Sequence, residues 1–85
     1  MEYVIVAFRV RAHTVKFYEF LIRNGVYSEI VNTPKEAGVG CGLSVRVSLS
    51  SVGAIKNAVR ITGLSSFAGV FKVSSVGERR TVKSI

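Results

Sequence analysis

The sequence predicts an α+β fold in which strands and helices follow one another in the order βαββαβ. Three observations support this fold class. Runs rich in valine, isoleucine and phenylalanine, one of them strictly alternating, have the composition of β-strands. Two segments between these runs repeat their polar residues at the spacing of an amphipathic helix. Glycine, proline and asparagine mark the turns that separate the segments.

The first strand and the first helix are predicted in the N-terminal third of the chain. Residues Glu2–Phe8 are apolar on both faces, which is typical of a central strand covered on each side. The segment from Thr14 to Asn24 reads as a helix, with Thr14 as its N-cap and Asn24-Gly25 as its C-terminal stop. Its polar positions fall at helical spacing: Lys16, Glu19 and Arg23.

A short second strand and an alternating third strand are predicted on either side of a glycine-rich turn. Polar residues interrupt the run Val26–Val31, and we expect it to form an edge strand. The turn is residues 33–42, TPKEAGVGCG, in which Pro34 ends the preceding strand. From Leu43 to Leu49 apolar and polar residues alternate, so one face is apolar. The positions expected to be exposed on the other face are Ser44, Arg46 and Ser48.

A second helix and a fourth strand complete the predicted order. Ser50 or Ser51 is expected to cap the helix, and Gly63 ends it. One face of this helix carries Val52, Ile55, Val59 and Thr62, and the other carries Lys56, Asn57 and Arg60. The run Ser66–Val73 then predicts the last strand.

These elements combine into one predicted domain. Right-handed crossovers give a four-stranded antiparallel sheet in the order 4-1-3-2 with both helices on one face, a ferredoxin-like sandwich. We assign this sandwich to residues 1–73, and residues 74–85 to a basic tail that either frays or extends the last strand. In this topology the loop after the first strand, the turn after the second strand and the start of the fourth strand meet at one end of the sheet.

The chain's one cysteine, Cys41, lies between Gly40 and Gly42 in that turn. A disulfide or a metal site of several thiolates is therefore excluded within one chain. A thiol in a glycine-rich turn is better suited to chemistry than to packing. The alternative interpretation of Cys41 is a small apolar residue shielded at the start of the third strand.

A reactive Cys41 needs help to ionise. A free thiol titrates at about pH 8.5, and lowering this to about 7 requires about 2 kcal/mol of preferential thiolate stabilisation. A helix N-terminus contributes only about 0.3 to 1 kcal/mol, so cations must contribute, and the topology brings Arg11, His13 and Lys35 to the same end. The N–H groups of the two flanking glycines are expected to form a small anion-binding concavity. Further residues expected nearby are Arg9, Ser65 and Ser66.

Two of these candidates also have simpler interpretations. His13 also fits a helix-start residue with a satisfied hydrogen bond, and Lys35 also fits a solvated loop cation. The sequence does not decide between the two roles of either residue.

The composition narrows the classes of function. Twelve Lys or Arg against five Asp or Glu give a net charge of +7 and a pI of about 10.2, which favours an anionic partner or a solvated cationic surface. Hydrophobic residues make up 48% of the chain, enough for a packed core. No apolar run approaches the ~18 residues of a membrane span, and the first residues lack signal-peptide features. We therefore expect a reduced, cytoplasmic protein without a membrane anchor.

The residues around the turn resemble a known family. The pattern is TPKE, a short spacer and CGLSVRV, preceded by a strand, His13, a helix carrying Glu19 and the exit Asn24-Gly25-Val26. This pattern is similar to the small domains of unknown function labelled putative selenium/sulfur carrier protein-like, and the resemblance covers about Tyr3 to Val73.

The chain departs from this family at two points. Members usually have arginine after the proline and a serine-rich spacer, where this chain has Lys35 and Gly38-Val39-Gly40. Replacing arginine by lysine removes a bidentate guanidinium, which weakens any carboxylate or phosphate recognition at that position. The resemblance implies that the function involves chemistry at the thiol of Cys41.

Three functional hypotheses follow. In the first, Cys41 accepts sulfur or selenium from a donor protein as a persulfide or perselenide and passes it to an acceptor. In the second, the basic surface binds nucleic acid. This binding would be electrostatic and nonspecific, because the third strand has no aromatic residue on which a base could stack. In the third, it is a regulatory or assembly module whose first strand, apolar on both faces, seals against a second copy.

Other enzymes find little support in the sequence. There is no paired-carboxylate motif, no nucleotide-binding glycine loop and no paired-cysteine metal motif, so we expect neither a metal nor another cofactor. A carrier or binding protein fits better than a turnover enzyme.

Overall fold

A computed structural model describes all 85 residues and shows two helices against one antiparallel sheet of five strands. The strands are β1 (Glu2–Phe8), β2 (Glu29–Asn32), β3 (Leu43–Ser48), β4 (Phe67–Val76) and β5 (Arg79–Ser84), and the helices are α1 (Arg11–Arg23) and α2 (Val52–Thr62). Short 3-10 turns occupy Lys35–Ala37 and Leu49–Ser51. The order across the sheet is β2-β3-β1-β4-β5.

The predicted α+β class is confirmed, but the prediction of four strands is wrong. The first four strands lie in the expected order, and β5 adds a fifth strand beside β4. Residues 74–76 continue β4, and Gly77, with φ of 59°, opens a two-residue turn into β5. The sequence gives a weak signal for this strand because Val82 is its one apolar residue between Arg79 and Ser84.

The start of α1 differs from the prediction. The helix begins at Arg11, so Thr14 is not the N-cap but a fully buried residue of the first turn. Its own N–H donates to the carbonyl oxygen of Val10 at 3.3 Å, and no side chain caps the helix. The predicted C-terminal stop is confirmed, with Asn24 as C-cap and Gly25 at a φ of 76°.

At the start of α2 the N-cap position is Ser51, one of the two predicted residues, but its side chain makes no capping hydrogen bond. The hydroxyls of Ser50 and Ser51 pair instead with that of Ser48 across the preceding 3-10 turn, at 2.9 and 3.3 Å. The predicted end is confirmed at Gly63, which has a left-handed φ of 55°.

Two strand boundaries shift. β2 is at the sheet edge as predicted, but it begins at Glu29, because Val26 still donates its N–H to Leu21 of α1. β4 begins at Phe67 and continues to Val76, three residues beyond the predicted end.

A large core fills the space between the sheet and the helices. Phe8 of β1 and Phe17 of α1 stack with ring centroids 5.1 Å apart at its centre. Both helices contribute to this core, which places them on the same face of the sheet. Its buried residues are Val4, Val6, Phe8, Phe17, Leu21, Val45, Val47, Ile55, Ala58 and Val70.

A smaller core covers the opposite face. Ile5 and Ala7 of β1 are fully buried there with Phe71 and Val73. They are covered by Ala37 and Val39 from the turn after β2, and by Val82 of β5. Both faces of β1 are therefore buried within one chain, which removes the exposed apolar face that the assembly hypothesis required.

The same turn changes the environment of β3. Ser44, which alternation predicts to be exposed, is fully buried. Its hydroxyl lies 2.6 Å from that of Thr33 at the start of the turn. The prediction is wrong because alternation assigns a residue to a face of the sheet without showing which loops cover that face.

Candidate functional site around a single cysteine

Cys41 lies immediately before β3, at the end of the sheet where β1 and β2 finish and where α1, β3 and β4 begin. We call this end the cysteine end. The Cys41 N–H donates to the carbonyl oxygen of Phe8 at 3.0 Å, and the Thr33 N–H donates to that of Gly42 at 2.9 Å. The first bond ties the cysteine to the last residue of the central strand, so its backbone position is fixed by the sheet.

The thiol of Cys41 is half-buried between β3 and the first turn of α1. Its Sγ lies 3.8 Å from Oγ1 of Thr14 and 3.7 Å from the carbonyl oxygen of Leu43. The Thr14 hydroxyl also reaches the Leu43 carbonyl, at 3.4 Å. The groups in direct polar contact with the sulfur are thus a hydroxyl and a carbonyl.

The glycines beside Cys41 have backbone reasons for being glycine. Gly40 and Gly42 both have φ of 94°, which side chains disfavour. A Cβ on Gly40 would also lie 3.3 Å from the Phe8 oxygen, whereas one on Gly42 would meet nothing. Neither N–H has an acceptor in the chain, so both are free to face an anion.

Lys35 is placed on the other side of the sheet from the helices. It begins the 3-10 turn whose Ala37 packs on the smaller core. With neighbouring residues of the turn it lines a shallow hollow of about 280 Å³ to which Cys41 does not contribute. No hydrogen bond joins Lys35 to the thiol, so its predicted role on the thiolate rests on charge at a distance.

His13 is directed toward the start of β4. Its Nδ1 lies 2.6 Å from the Ser66 hydroxyl, which also accepts the Val10 N–H at 3.2 Å. A hydroxyl that accepts from Val10 can donate its own proton to Nδ1. The serine in contact with the histidine is therefore Ser66, while Ser65 is exposed and makes no side-chain hydrogen bond.

Arg9 and Arg11 flank the same loop. Arg11 is exposed and precedes Thr14 by three residues, so both lie on the side of α1 that faces the cysteine. Arg9 follows Phe8 directly, and its guanidinium reaches the Phe67 carbonyl at 3.4 Å. Both arginines therefore lie at the cysteine end, and the role of Arg11 beside the thiol stays a prediction.

Two contacts of this site lie beyond the sequence prediction. One is the approach of the Thr14 hydroxyl to Cys41, which the assignment of Thr14 as a cap concealed. The other is a bidentate pair in which the Arg80 guanidinium donates to the Glu36 carboxylate at 2.8 and 3.2 Å. This hydrogen bonding holds the pKa of Glu36 below its ordinary value of 4.5. No local pattern links residues 44 positions apart.

No three His, Cys, Asp or Glu side chains cluster in a way that would hold a metal ion. Neither α1 nor α2 has the length and apolar surface needed to span a bilayer.

Comparison with known proteins finds a matching family. A family model described as Putative Se/S carrier protein-like matches residues 2–66. The match runs from β1 to the end of the loop before β4, so it leaves out β4 and β5. It includes Thr14 and all of residues 33–42, which we call the cysteine turn. No curated protein and no solved structure gives a significant match.

Proposed function

The chain belongs to the Putative Se/S carrier protein-like family, and on that premise we propose that Cys41 carries a sulfur or selenium atom from a donor protein to an acceptor protein. The observation that supports this most directly is the position of the thiol. It is the chain's one cysteine, half-buried beside a hydroxyl and tied to the central strand. A sulfur held in place near the surface is suited to accept and release an atom repeatedly.

The transfer proceeds by exchange between sulfur atoms. The Cys41 thiolate attacks the terminal sulfur of a persulfide on the donor, a new S–S bond forms, and the donor cysteine leaves as a thiolate. The proton of the terminal sulfur stays on it, so there is no net oxidation or reduction. An acceptor nucleophile then attacks that same sulfur, and Cys41 leaves as the thiolate. Selenium follows the same scheme through a perselenide.

The surrounding groups have distinct roles in this proposal. The Thr14 hydroxyl donates to the ionised sulfur, and the free N–H groups of Gly40 and Gly42 face the negative charge of the transferred atom. Arg11 and Lys35 favour the thiolate through their charge, and His13 adds to this only in its protonated form, in which its Nδ1–H donates to the Ser66 hydroxyl. Ser65 lies at the rim as a binding residue. A free thiol with this task belongs in a reducing compartment, and we therefore place the protein in the cytoplasm.

Sulfur loading tests the proposal directly. After incubation with a cysteine desulfurase and free cysteine, the native mass should rise by one sulfur atom, and a thiol reductant should remove the added mass. Cys41→Ser should gain nothing. A second control combines Cys41→Ser with Ser50→Cys, which moves the thiol to an exposed turn at the other end of the sheet.

We expect the relocated cysteine to load far less than the native one, because it lacks the Thr14 hydroxyl and the flanking glycines. Equal loading of the two proteins would show that any exposed thiol suffices. Absence of added mass with several unrelated desulfurases would contradict the carrier function.

A further inference from the structure

Acidic residues are distributed unevenly between the two ends of the sheet. Glu2 begins β1 and Glu78 lies in the turn before β5, so both are at the end opposite Cys41. Glu29 lies opposite Arg46, level with the middle of β1, and forms a salt bridge with it. Glu19 lies in the second half of α1. The cysteine end retains Glu36, and its carboxylate is already bound by Arg80.

Three exposed cations come from the segments that meet at the cysteine end, with Lys35 on the face of the sheet opposite the helices. Arg9 follows β1, Arg11 begins α1 and Lys35 begins the turn after β2. The salt bridges of the chain join Arg46, Lys72 and Arg80 to carboxylates, and none involves these three residues. We call Arg9, Arg11 and Lys35 the cationic rim. Its positive charge is not neutralised within the chain.

A surface of this kind mainly raises the rate at which an oppositely charged partner associates. Unpaired charges of one sign raise the local concentration of opposite charge and speed association by about 10-fold to 1000-fold at low salt. The effect extends over about 10 Å at 0.1 M salt, which spans the distance between neighbouring loops. A thiol inside the rim is therefore approached fastest by a negatively charged group.

We propose that the cationic rim is a docking surface for an acidic segment that surrounds the reactive sulfur of the donor or acceptor protein. This inference rests on the proposed carrier function, because that function requires a partner's sulfur to reach Cys41. Nucleic acid fits the surface less well. The aromatic rings at the cysteine end are those of Phe8, which is 1% exposed, and of Phe67, which is half-buried against the larger core, so neither is a fully exposed platform for a base.

Two synthetic peptides test the charge preference without knowledge of the partner. Each carries one cysteine activated as a pyridyl disulfide, flanked by glutamates in one peptide and by lysines in the other. The Cys41 thiolate attacks the peptide sulfur, a protein–peptide disulfide forms, and pyridinethiol leaves and is measured by its absorbance. We expect the acidic peptide to react about tenfold faster at low salt, with the ratio approaching one at about 1 M salt.

A matched pair of variants locates the effect. Arg11→Glu should lower the rate ratio by about threefold, because it reverses one charge of the rim. Lys16→Glu makes the same change of charge on the same helix, but two residues from Thr14, on another face, and should leave the ratio nearly unchanged. Both residues are exposed, and a glutamate in the first turn of a helix is favourable, so Arg11→Glu should fold.

The outcomes separate this inference from the carrier function. Equal rates for the two peptides, equal effects of the two variants, or an unreactive Cys41 would overturn the docking surface. A single-stranded oligonucleotide that blocks exchange more strongly than polyglutamate at 0.15 M salt would also overturn it, in favour of nucleic acid. Sulfur loading without any charge preference contradicts the docking surface alone. A charge preference without sulfur loading contradicts the carrier function and leaves an acidic partner of another kind.

Discussion

At the scale of single residues, the site depends on a hydroxyl that the helix hides from solvent. Thr14 is fully buried, and its Oγ1 reaches both Leu43 and Cys41. While the sulfur is protonated, its S–H can donate to the Leu43 carbonyl oxygen, 3.7 Å away. Once the sulfur has lost its proton it can only accept, and the Thr14 hydroxyl is the donor within reach.

Thr14→Val tests this role with nearly the same side-chain shape. The thiolate loses its hydroxyl donor, so alkylation of Cys41 at pH 7 should slow by about tenfold or more, because a hydrogen bond to a charged group contributes about 1.5 to 3 kcal/mol. Thr14→Ser keeps the hydroxyl and should react much like the native protein. Equal rates for the native protein and Thr14→Val would show that the hydroxyl serves packing alone.

The flanking glycines offer a second test at this scale. Gly40→Ala should lower the free energy of unfolding by about 2 to 4 kcal/mol, since it combines left-handed strain with the 3.3 Å approach to the Phe8 oxygen. Gly42 has the same φ, but a Cβ there would meet no neighbour, so Gly42→Ala should lower the free energy of unfolding by only about 1 to 2 kcal/mol. Urea unfolding of both variants measures the difference. Equal losses would mean that the space beside Gly40 does not matter.

At the scale of elements, the turn that carries Cys41 is held from two sides. On one side the Cys41 N–H binds the end of β1. On the other side Glu36 binds Arg80 of β5, a strand outside the residues that the family model matches. The basic C-terminal residues therefore take part in positioning the cysteine turn, and their charge is only one part of their contribution.

The Glu36 link has a definite dependence on pH. Because Arg80 holds the pKa of Glu36 below 4.5, the link is present above pH 4.5 and is lost as the pH falls through the lowered value. Arg80→Gln should raise the pKa of Glu36 back toward 4.5, as read from the carbon NMR titration of its carboxyl group. Arg79→Gln removes the same charge from the neighbouring residue, which makes no salt bridge, and should change the pKa little. A similar rise in both variants would mean that general charge, and not the bidentate contact, lowers the pKa.

At the scale of the whole molecule, the chain covers both faces of its own central strand. The helices bury Val4 and Val6 on one face, and the cysteine turn with β5 buries Ile5 and Ala7 on the other. The turn is thus part of the second core as well as the carrier of the thiol. Its apolar residues hold it against the sheet, and its glycines leave the backbone N–H groups beside Cys41 free. Packing and the candidate site therefore share the same ten residues.

Local patterns were enough for the elements whose apolar residues recur at a regular spacing. The double apolar character of Glu2–Phe8 predicted a central strand with the observed boundaries. Helical spacing predicted both helices and the glycines that end them. Local patterns failed where a neighbour distant in sequence decides the outcome. Thr14 looked like a cap because the carbonyl and thiol that it contacts come 27 and more residues later.

The sequence by itself determined the α+β class, the order of the first four strands, the family and the identity of the one candidate thiol. Periodicity and the motif can be read from residues close together in the chain, and the handedness of crossovers is a general rule that orders the strands. The tertiary structure alone decided that β5 joins the sheet, that the turn after β2 covers the second face, and that the thiol meets Thr14 while Lys35 lies across the sheet. Each of these depends on contacts between residues far apart in the chain, whose free energy is gained only when the whole fold assembles.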